Sequence, residues 1–218
     1  MSEPNRYQIR ICLRPECGFR FPVPVENAEK ARCPKCRAMT RESIELYQNR
    51  PVATFDDLPV GPPVEVVLDN LRSTYNVGSI FRAADGAGVR HIHLCGITPN
   101  PTNPKIGKTA LGAEQSVPWS PHQDIVELVR ELRKRGMKIL ALEGGENAEP
   151  IFTAAAQLSD APLALIVGNE VSGVDPAVLD ACDQVIAIPM LGSKESLNVA
   201  IAFGIAIYTL RFPPKWKV

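Results

Sequence analysis

The sequence predicts an α/β protein, a mostly parallel sheet with helices on both faces, preceded by a small zinc-ribbon-like module. Three observations carry this. From residue 64 onward, apolar runs of strand length alternate with segments of helical period, the mark of parallel strands joined by crossover helices. The first 50 residues hold four of the six cysteines, and ten Lys/Arg against six Asp/Glu, net +4. Between these parts lies a proline-rich stretch with Pro51, Pro59, Pro62 and Pro63, which reads as a linker. The expected organisation is a module over 1–50, a linker over 51–63 and an α/β domain over 64–218. A length of 218 residues suits one domain plus a small module.

In the module, the spacing is Cys12-x4-Cys17, fifteen residues, then Cys33-x2-Cys36. Two close pairs across a short loop suit a tetrahedral Zn²⁺ held by four thiolates, a structural site. Pro34 pre-sets the turn of the second knuckle. Four reduced core cysteines or a disulfide pair are the alternative. Few large apolar residues are present (Ile9, Ile11, Phe19, Phe21), too few for a core without a staple. Arginines and lysines surround the cysteines, and such a basic ribbon suits RNA contact, with a protein-binding knob as the other reading.

In the larger part, 64–68 (VEVVL) reads as a strand and 78–88 as a helix, with Ile80, Ala83, Ala84 and Ala87 apolar. His91–Cys95 is a strand and 105–112 a short helix. The clearest amphipathic helix is 124–135, where Ile125, Leu128, Val129 and Leu132 share a face and Gly136 stops it. Lys138–Leu142, Leu163–Val167 and 185–188 are strands. Pro176–Ala181 and 196–212 are helices. The last is apolar on nearly all sides, so it is expected to be buried.

Several classes are excluded. Lys+Arg and Asp+Glu are both 24, so no basic footprint for nucleic acid covers the whole chain. No G-x-G-x-x-G follows the first strand and no G-x-x-x-x-G-K-[ST] is present. The polar start shows no secretory signal. The longest apolar run, 197–210, falls short of the roughly 20 residues a membrane span needs. A cytoplasmic chain with reduced thiols is expected. Cys95 and Cys182 read as small buried residues. His91 and His93 share a strand face and read as a partly exposed structural pair, and with His122 they form no metal-spaced set.

Polar or glycine-rich segments fall at strand ends in 69–82 (DNLRSTYNVGSIFR), 168–173 (GNEVSG) and 189–198 (PMLGSKESLN), where open α/β sheets bind ligands. The candidates are Asn76, Arg82, Glu170, Ser196 and Asn198. Each has a plain structural alternative. Asn76 would cap a helix, Arg82 would pair with Asp85, Glu170 would sit in a turn, and Ser196 would cap the last helix. Asn198 enters an apolar run, and an unpaired buried amide costs roughly 1–3 kcal/mol, so it needs a defined partner.

Together these segments resemble the SpoU (TrmH-like) branch of the SPOUT RNA methyltransferases. Asn70 to Val89 (N-x-R-S-x-x-N-V-G-S-I-F-R-x-A-D-x-x-G-V) is similar to the family's first motif. Leu165 to Val174 (L-I-V-G-N-E-x-x-G-V) is similar to the second, and Ile188 to Ala202 (I-P-M-x-G-x-x-E-S-L-N-V-A-x-A) to the third. The resemblance covers about 64–212.

It implies a C-terminal deep trefoil knot, S-adenosylmethionine bent into the knotted loops, a homodimer, and methylation of a ribose 2′-OH in tRNA or rRNA. No membrane or DNA partner is expected. By position, Arg82 corresponds to the arginine proposed to activate the 2′-OH, with Asn76, Glu170, Ser196 and Asn198 at the other motif positions. The cofactor loops correspond to Leu142, Glu143, Gly144, Gly168, Asn169, Ile188, Met190 and Leu197. A non-catalytic RNA-binding or ribosome-assembly protein keeping the fold is the alternative. The domain beyond residue 50 carries 14 Lys/Arg against 18 Asp/Glu, so the basic module is expected to supply the RNA footprint.

Overall fold

The computed structural model describes residues 6–48 and 60–213, the side chains of 44–48 excepted. They fall into two compact units, divided between residues 56 and 57. Most of the expected linker, 51–59, lies outside the described residues.

The smaller unit is an antiparallel sheet of β1 (Arg6–Cys12), β2 (Arg20–Pro24) and β3 (Thr40–Gln48), in the order β2-β1-β3. The sequence reading assigned no strands here. Cys12 ends β1 and Cys17 lies in the turn that leads to β2. Cys33 and Cys36 form a second tight turn, in which the Arg37 N–H donates to the Cys33 carbonyl at 2.8 Å. Arg37 takes a left-handed φ of 61°, which re-aims the chain into β3. Among the described side chains, the buried ones are few and small: Cys12, Val23, Ala28, Cys33 and Thr40.

The larger unit is built on a seven-stranded sheet. Its strands are β4 (Val64–Asp69), β5 (His91–Cys95), β6 (Trp119–His122), β7 (Lys138–Leu142), β8 (Glu149–Pro150), β9 (Leu163–Val167) and β10 (Gln184–Ala187). The order is β6-β5-β4-β9-β7-β10-β8, and every pairing is parallel. The helices are α1 (Thr74–Gly86), α2 (Pro104–Ala110), α3 (Ala113–Ser116), α4 (Ile125–Lys134), α5 (Ile151–Ala156), α6 (Pro176–Ala181) and α7 (Val199–Arg211).

Burial on both faces explains the continuous apolar runs of the central strands. Val64, Val66 and Leu68 join the layer formed by α1, α2, α5 and α7. Val67, with Ile139, Ala141, Ala164 and Ile166, faces α4 and α6. Helix α4 buries the four residues its period predicts, Ile125, Leu128, Val129 and Leu132. Asp124 caps it, accepting from the N–H groups of Val126 and Glu127.

Four differences from the sequence reading have local causes. Helix α1 begins at Thr74 rather than 78, because Ser73 caps it, accepting from the Asn76 N–H at 3.3 Å. Helix α7 begins at Val199 and its cap is Asn198, which accepts from the N–H groups of Ala200 and Ile201. Ser196 stays in the preceding loop. Strand β6 was not anticipated. It contains Pro121, which suits only an edge strand, and β6 is the edge. Helix α7 is not buried all round: Phe203, Ala206, Ile207 and Leu210 are buried, whereas Ile201, Ile205 and Tyr208 are exposed.

Pro62 and Pro63 belong to the larger unit. The Leu163 N–H donates to the Pro63 carbonyl at 2.9 Å. Arg211 at the end of α7 donates to the Gly61 and Pro62 carbonyls, both at 2.6 Å, and to Ala87 at 3.0 Å. Among the described residues no helix is long and apolar enough to cross a membrane.

Candidate functional site

The carboxyl ends of β7, β9 and β10 open into a cleft of about 360 Å³. Its walls are the segment 142–144, the loop 167–173, the segment 187–190 and the segment 195–199 with Ala202. Gly144 faces open space where a side chain would project. A cleft of this size suits one small ligand.

Three hydrogen-bonded residues join the three motif segments at this cleft. Glu170 Oε2 accepts from the Arg72 N–H at 3.0 Å. Its Oε1 accepts from the Ser73 N–H at 3.2 Å and from Asn76 Nδ2 at 3.0 Å. The carboxylate thus meets free N–H groups at the start of α1, where negative charge is favoured. Burial works against ionisation of Glu170, but these donors outweigh it and hold its carboxyl below the usual range. Asn76 Oδ1 then accepts from Asn198 Nδ2 at 3.1 Å. The partners fix both amide orientations: Asn76 must turn its NH2 to a carboxylate, and Asn198 must turn its oxygen to the N–H groups it caps. Asn198 is exposed, so the expected buried amide is a surface one, but the expected defined partner is present.

The loop 168–174 is pinned from several sides. Asn169 and Gly173 exchange backbone hydrogen bonds at 2.9 and 3.0 Å. A Cβ on Gly168 would run into the Gly173 backbone and the Val174 nitrogen, so only glycine fits. Asn169 Nδ2 donates to the Asn70 carbonyl at 2.6 Å, while its Oδ1 accepts from Val171 and Ser172. Glu143 accepts from the Val174 N–H at 2.9 Å and the Gly144 N–H at 3.0 Å. Asp69, 2% exposed, accepts from the Asp175 N–H at 3.0 Å and from Asn70. Burial raises the Asp69 carboxyl above its ordinary range despite these donors. Asp69, Asn70 and Ser73 are supports that sequence reasoning missed, although two of them open the first motif segment.

The structure brings Leu142, Glu143, Gly144, Gly168, Asn169, Glu170, Ile188, Met190, Ser196, Leu197 and Asn198 to the cleft wall. Asn76 joins them through its two hydrogen bonds. Arg82 does not line the cleft. It is exposed on α1, and it forms no ion pair with Asp85. Tyr75 and Arg82, seven residues apart, lie on one helical stripe, which leads toward Gly86, where the Tyr208 hydroxyl approaches. Beside it, Tyr75 is 53%, Ile201 56% and Tyr208 46% exposed.

The histidines depart in part from the expected partly exposed structural pair: His91 is half-buried, but His93 is buried. Strand β6 brings Ser120 Oγ within 2.8 Å of both His91 Nε2 and His122 Nε2, and within 3.4 Å of His93 Nδ1. His93 is 5% exposed and its Nε2 meets Glu65 at 2.9 Å. Burial pushes His93 down to about 4, so it is neutral, with its proton on the nitrogen that faces Glu65.

In the smaller unit, the Sγ atoms of Cys12, Cys17, Cys33 and Cys36 lie within 4.8 Å of one another. Cys12 and Cys36 are 3.5 Å apart, Cys17 and Cys33 3.8 Å. A tetrahedron with Zn–S near 2.3 Å has S···S edges of about 3.8 Å, so the four sulfurs fit a zinc ion.

A parallel α/β fold with a ligand cleft at the strand carboxyl ends, walled by the second and third motif segments and joined to the first through Glu170, Asn76 and Asn198, fits the SPOUT methyltransferase class. The chain belongs to the SpoU rRNA Methylase family, whose model matches residues 63–208. It is 32% identical over 148 residues to the 23S rRNA (guanosine-2′-O-)-methyltransferase RlmB of Ralstonia nicotianae, a match covering 68% of this chain and 58% of that protein. It is also 32% identical to the protein of the same name from Nitrosomonas europaea, over 83% of this chain and 70% of that one. Among solved structures, the AdoMet-bound rRNA methyltransferase of Sinorhizobium meliloti superposes with a TM-score of 0.62 at 26% identity, covering 76% of this chain and 62% of that one. The A. aeolicus TrmH/SpoU tRNA modifying enzyme gives 0.62 at 26%, covering 70% and 76%.

Proposed function

We propose that the protein transfers a methyl group from S-adenosylmethionine to a ribose 2′-OH in rRNA or tRNA. The observation that carries this reading is the Glu170–Asn76–Asn198 chain, which ties the three motif segments together at the mouth of a ligand-sized cleft. Relatives named as 23S rRNA 2′-O-methyltransferases and an AdoMet-bound neighbour support it.

The lining suits S-adenosylmethionine: Leu142, Gly144, Gly168, Ile188, Met190 and Leu197 border the cleft, and their backbone groups would hold the cofactor. When bound, the cofactor supplies an electrophilic methyl on a sulfonium, and no metal is required. Glu143 and Asn169 act mainly by holding the loops that shape the cleft. Glu170 and Asn76 fix the start of α1, and Ser196 faces the cleft from the loop before α7.

Arg82 cannot serve as a simple base, because guanidinium stays protonated, with a pKa above about 12. Its role is to stabilise the developing alkoxide, with an RNA phosphate or water taking the proton. Standing outside its own cleft, it acts where the α1–α7 surface meets another molecule. The exposed Tyr75, Ile201, Ile205 and Tyr208 support that surface as the contact of a homodimer. A structural zinc held by the four cysteines staples the smaller unit, and these thiolates suit the reducing cytoplasm.

The test is methyl transfer from labelled S-adenosylmethionine to unmodified total RNA, with digestion to nucleosides. A 2′-O-methylated nucleoside that vanishes in Arg82→Ala supports the reading. RNA binding without transfer, on free RNA and on ribosomal particles alike, would favour a non-catalytic binder.

A further inference from the structure

We infer that the open face of the small three-stranded sheet is an RNA-binding surface, with Arg20 and Arg41 as its phosphate contacts. This rests on the RNA substrate proposed above and adds where on the smaller unit that RNA lies. The two faces of the sheet are unlike. On one, Cys12, Val23 and Thr40 are buried, and Arg10 commits its guanidinium to Thr40 and Gln8. On the other, strand alternation sets Ile9 and Ile11 in a row along β1, which Leu13 continues.

In register, Ile11 lies opposite Arg20 on β2 and Arg41 on β3. A half-buried aliphatic side chain therefore sits between two exposed arginines. Leu13, 51% exposed, and Met39, 56% exposed, prolong the apolar strip, their backbones paired at 3.0 Å. Arg20 makes one neutral contact, to Ser43 Oγ at 2.9 Å, and Arg41 reaches only the Glu42 carbonyl, at 3.4 Å. Neither forms an ion pair among the described residues.

Uncommitted guanidiniums on both sides of an apolar strip suit a ligand that carries spaced negative charges together with apolar faces. Single-stranded or looped RNA has both, phosphates for the arginines and base faces for the strip. Residues 6–43 hold nine Lys/Arg and four Asp/Glu, so the unit stays positive even with two net negative charges from a four-thiolate zinc site.

The experiment compares full-length, zinc-loaded wild type with the Arg20→Gln/Arg41→Gln double variant. Binding to an unmodified 23S rRNA transcript and to unmodified tRNA is titrated from 50 to 200 mM salt. The variant is expected to lose about tenfold or more in affinity at the lower salt, and its log–log salt slope to shrink by about 1.4 to 1.8, the loss of two phosphate contacts. Zinc content and S-adenosylmethionine affinity should not change, and any methyl transfer should suffer in KM rather than kcat. Unchanged affinity and slope overturn the inference, leave the methyltransferase reading standing, and point to a protein partner for this face. A normal salt-slope effect without transfer by the wild type refutes the activity and not the surface. Wild type that binds neither RNA overturns both.

Discussion

Asn198 donates its side-chain amide to Asn76 across 122 positions of sequence, at 3.1 Å, while its oxygen caps α7. One residue thus starts the last helix and joins it to the first turn of α1. Asn198→Ala should lose the cap, about 1 kcal/mol, and free the loop carrying Ser196 and Leu197. Asn198→Asp should keep the cap and lose the link. Calorimetry is expected to show lower stability for the Ala variant than for the Asp variant, with methyl transfer impaired in both. Full transfer by Asn198→Asp would show that the link to Asn76 is dispensable.

Arg82 tests the chemistry. It is exposed, makes no ion pair among the described residues and stands away from the cleft wall. Arg82→Ala should leave folding and S-adenosylmethionine affinity close to wild type and reduce methyl transfer by at least a hundredfold. Isothermal titration and a single-turnover assay check the two halves. Strong residual transfer would remove Arg82 from the reaction.

Gly168 tests the cleft. A methyl there meets the Gly173 backbone, which cannot yield without breaking the Asn169–Gly173 pairing. Gly168→Ala is expected to weaken cofactor binding tenfold or more while the sheet stays folded. Gly144→Ala meets nothing within 4 Å in the protein, so its effect should appear only when the cleft is filled. Titration of both variants with S-adenosylmethionine gives the comparison.

Chelation of the zinc proposed for the four cysteines should release residues 6–48 and spare 60–213. Among its described side chains the smaller unit buries few beyond its cysteines, whereas the larger has two extensive apolar layers. Hydrogen exchange after chelation should rise throughout β1, β2 and β3 and remain unchanged in β4, β7 and β9. Protection that survives chelation would mean the unit does not depend on metal.

His93 sets a pH dependence. Burial holds it at about 4 against an ordinary value of 6.5. As pH falls below 6.5 the unfolded chain takes up a proton that the folded chain refuses, so this stability is present above 6.5 and is lost as pH falls toward 4. His91, His122, Ser120, Glu65 and Arg135 surround it. The melting temperature should fall between pH 7 and pH 4.5, and His93→Gln, whose amide still meets Glu65, should flatten that fall. Equal slopes would assign it to other groups.

The strands and α4 were legible because their residues obey a simple period, as in 163–167, every one of which is buried. The motif segments were legible by family resemblance, and each of them borders or adjoins the cleft. The rest depended on contacts far apart in sequence. Nothing local announces that Asn76 and Asn198 meet, or that Glu170 receives the start of α1. Pro121 masked β6, and with it the serine that gathers three histidines. Ser73 as the cap of α1 was legible from its residue type, yet the reading placed the helix start four residues later.

Arg211 binds the carbonyls of Gly61 and Pro62, and Gly61 returns its N–H to the Arg211 carbonyl at 2.7 Å. The entry and exit of the α/β unit are therefore neighbours, and they lie where β4 begins, whereas the cleft opens where strands end. Evolution can lengthen or replace what is joined to either end of this unit without the covalent junction having to pass the cleft. The chemistry and the attachments of such a fold are free to diverge at separate rates.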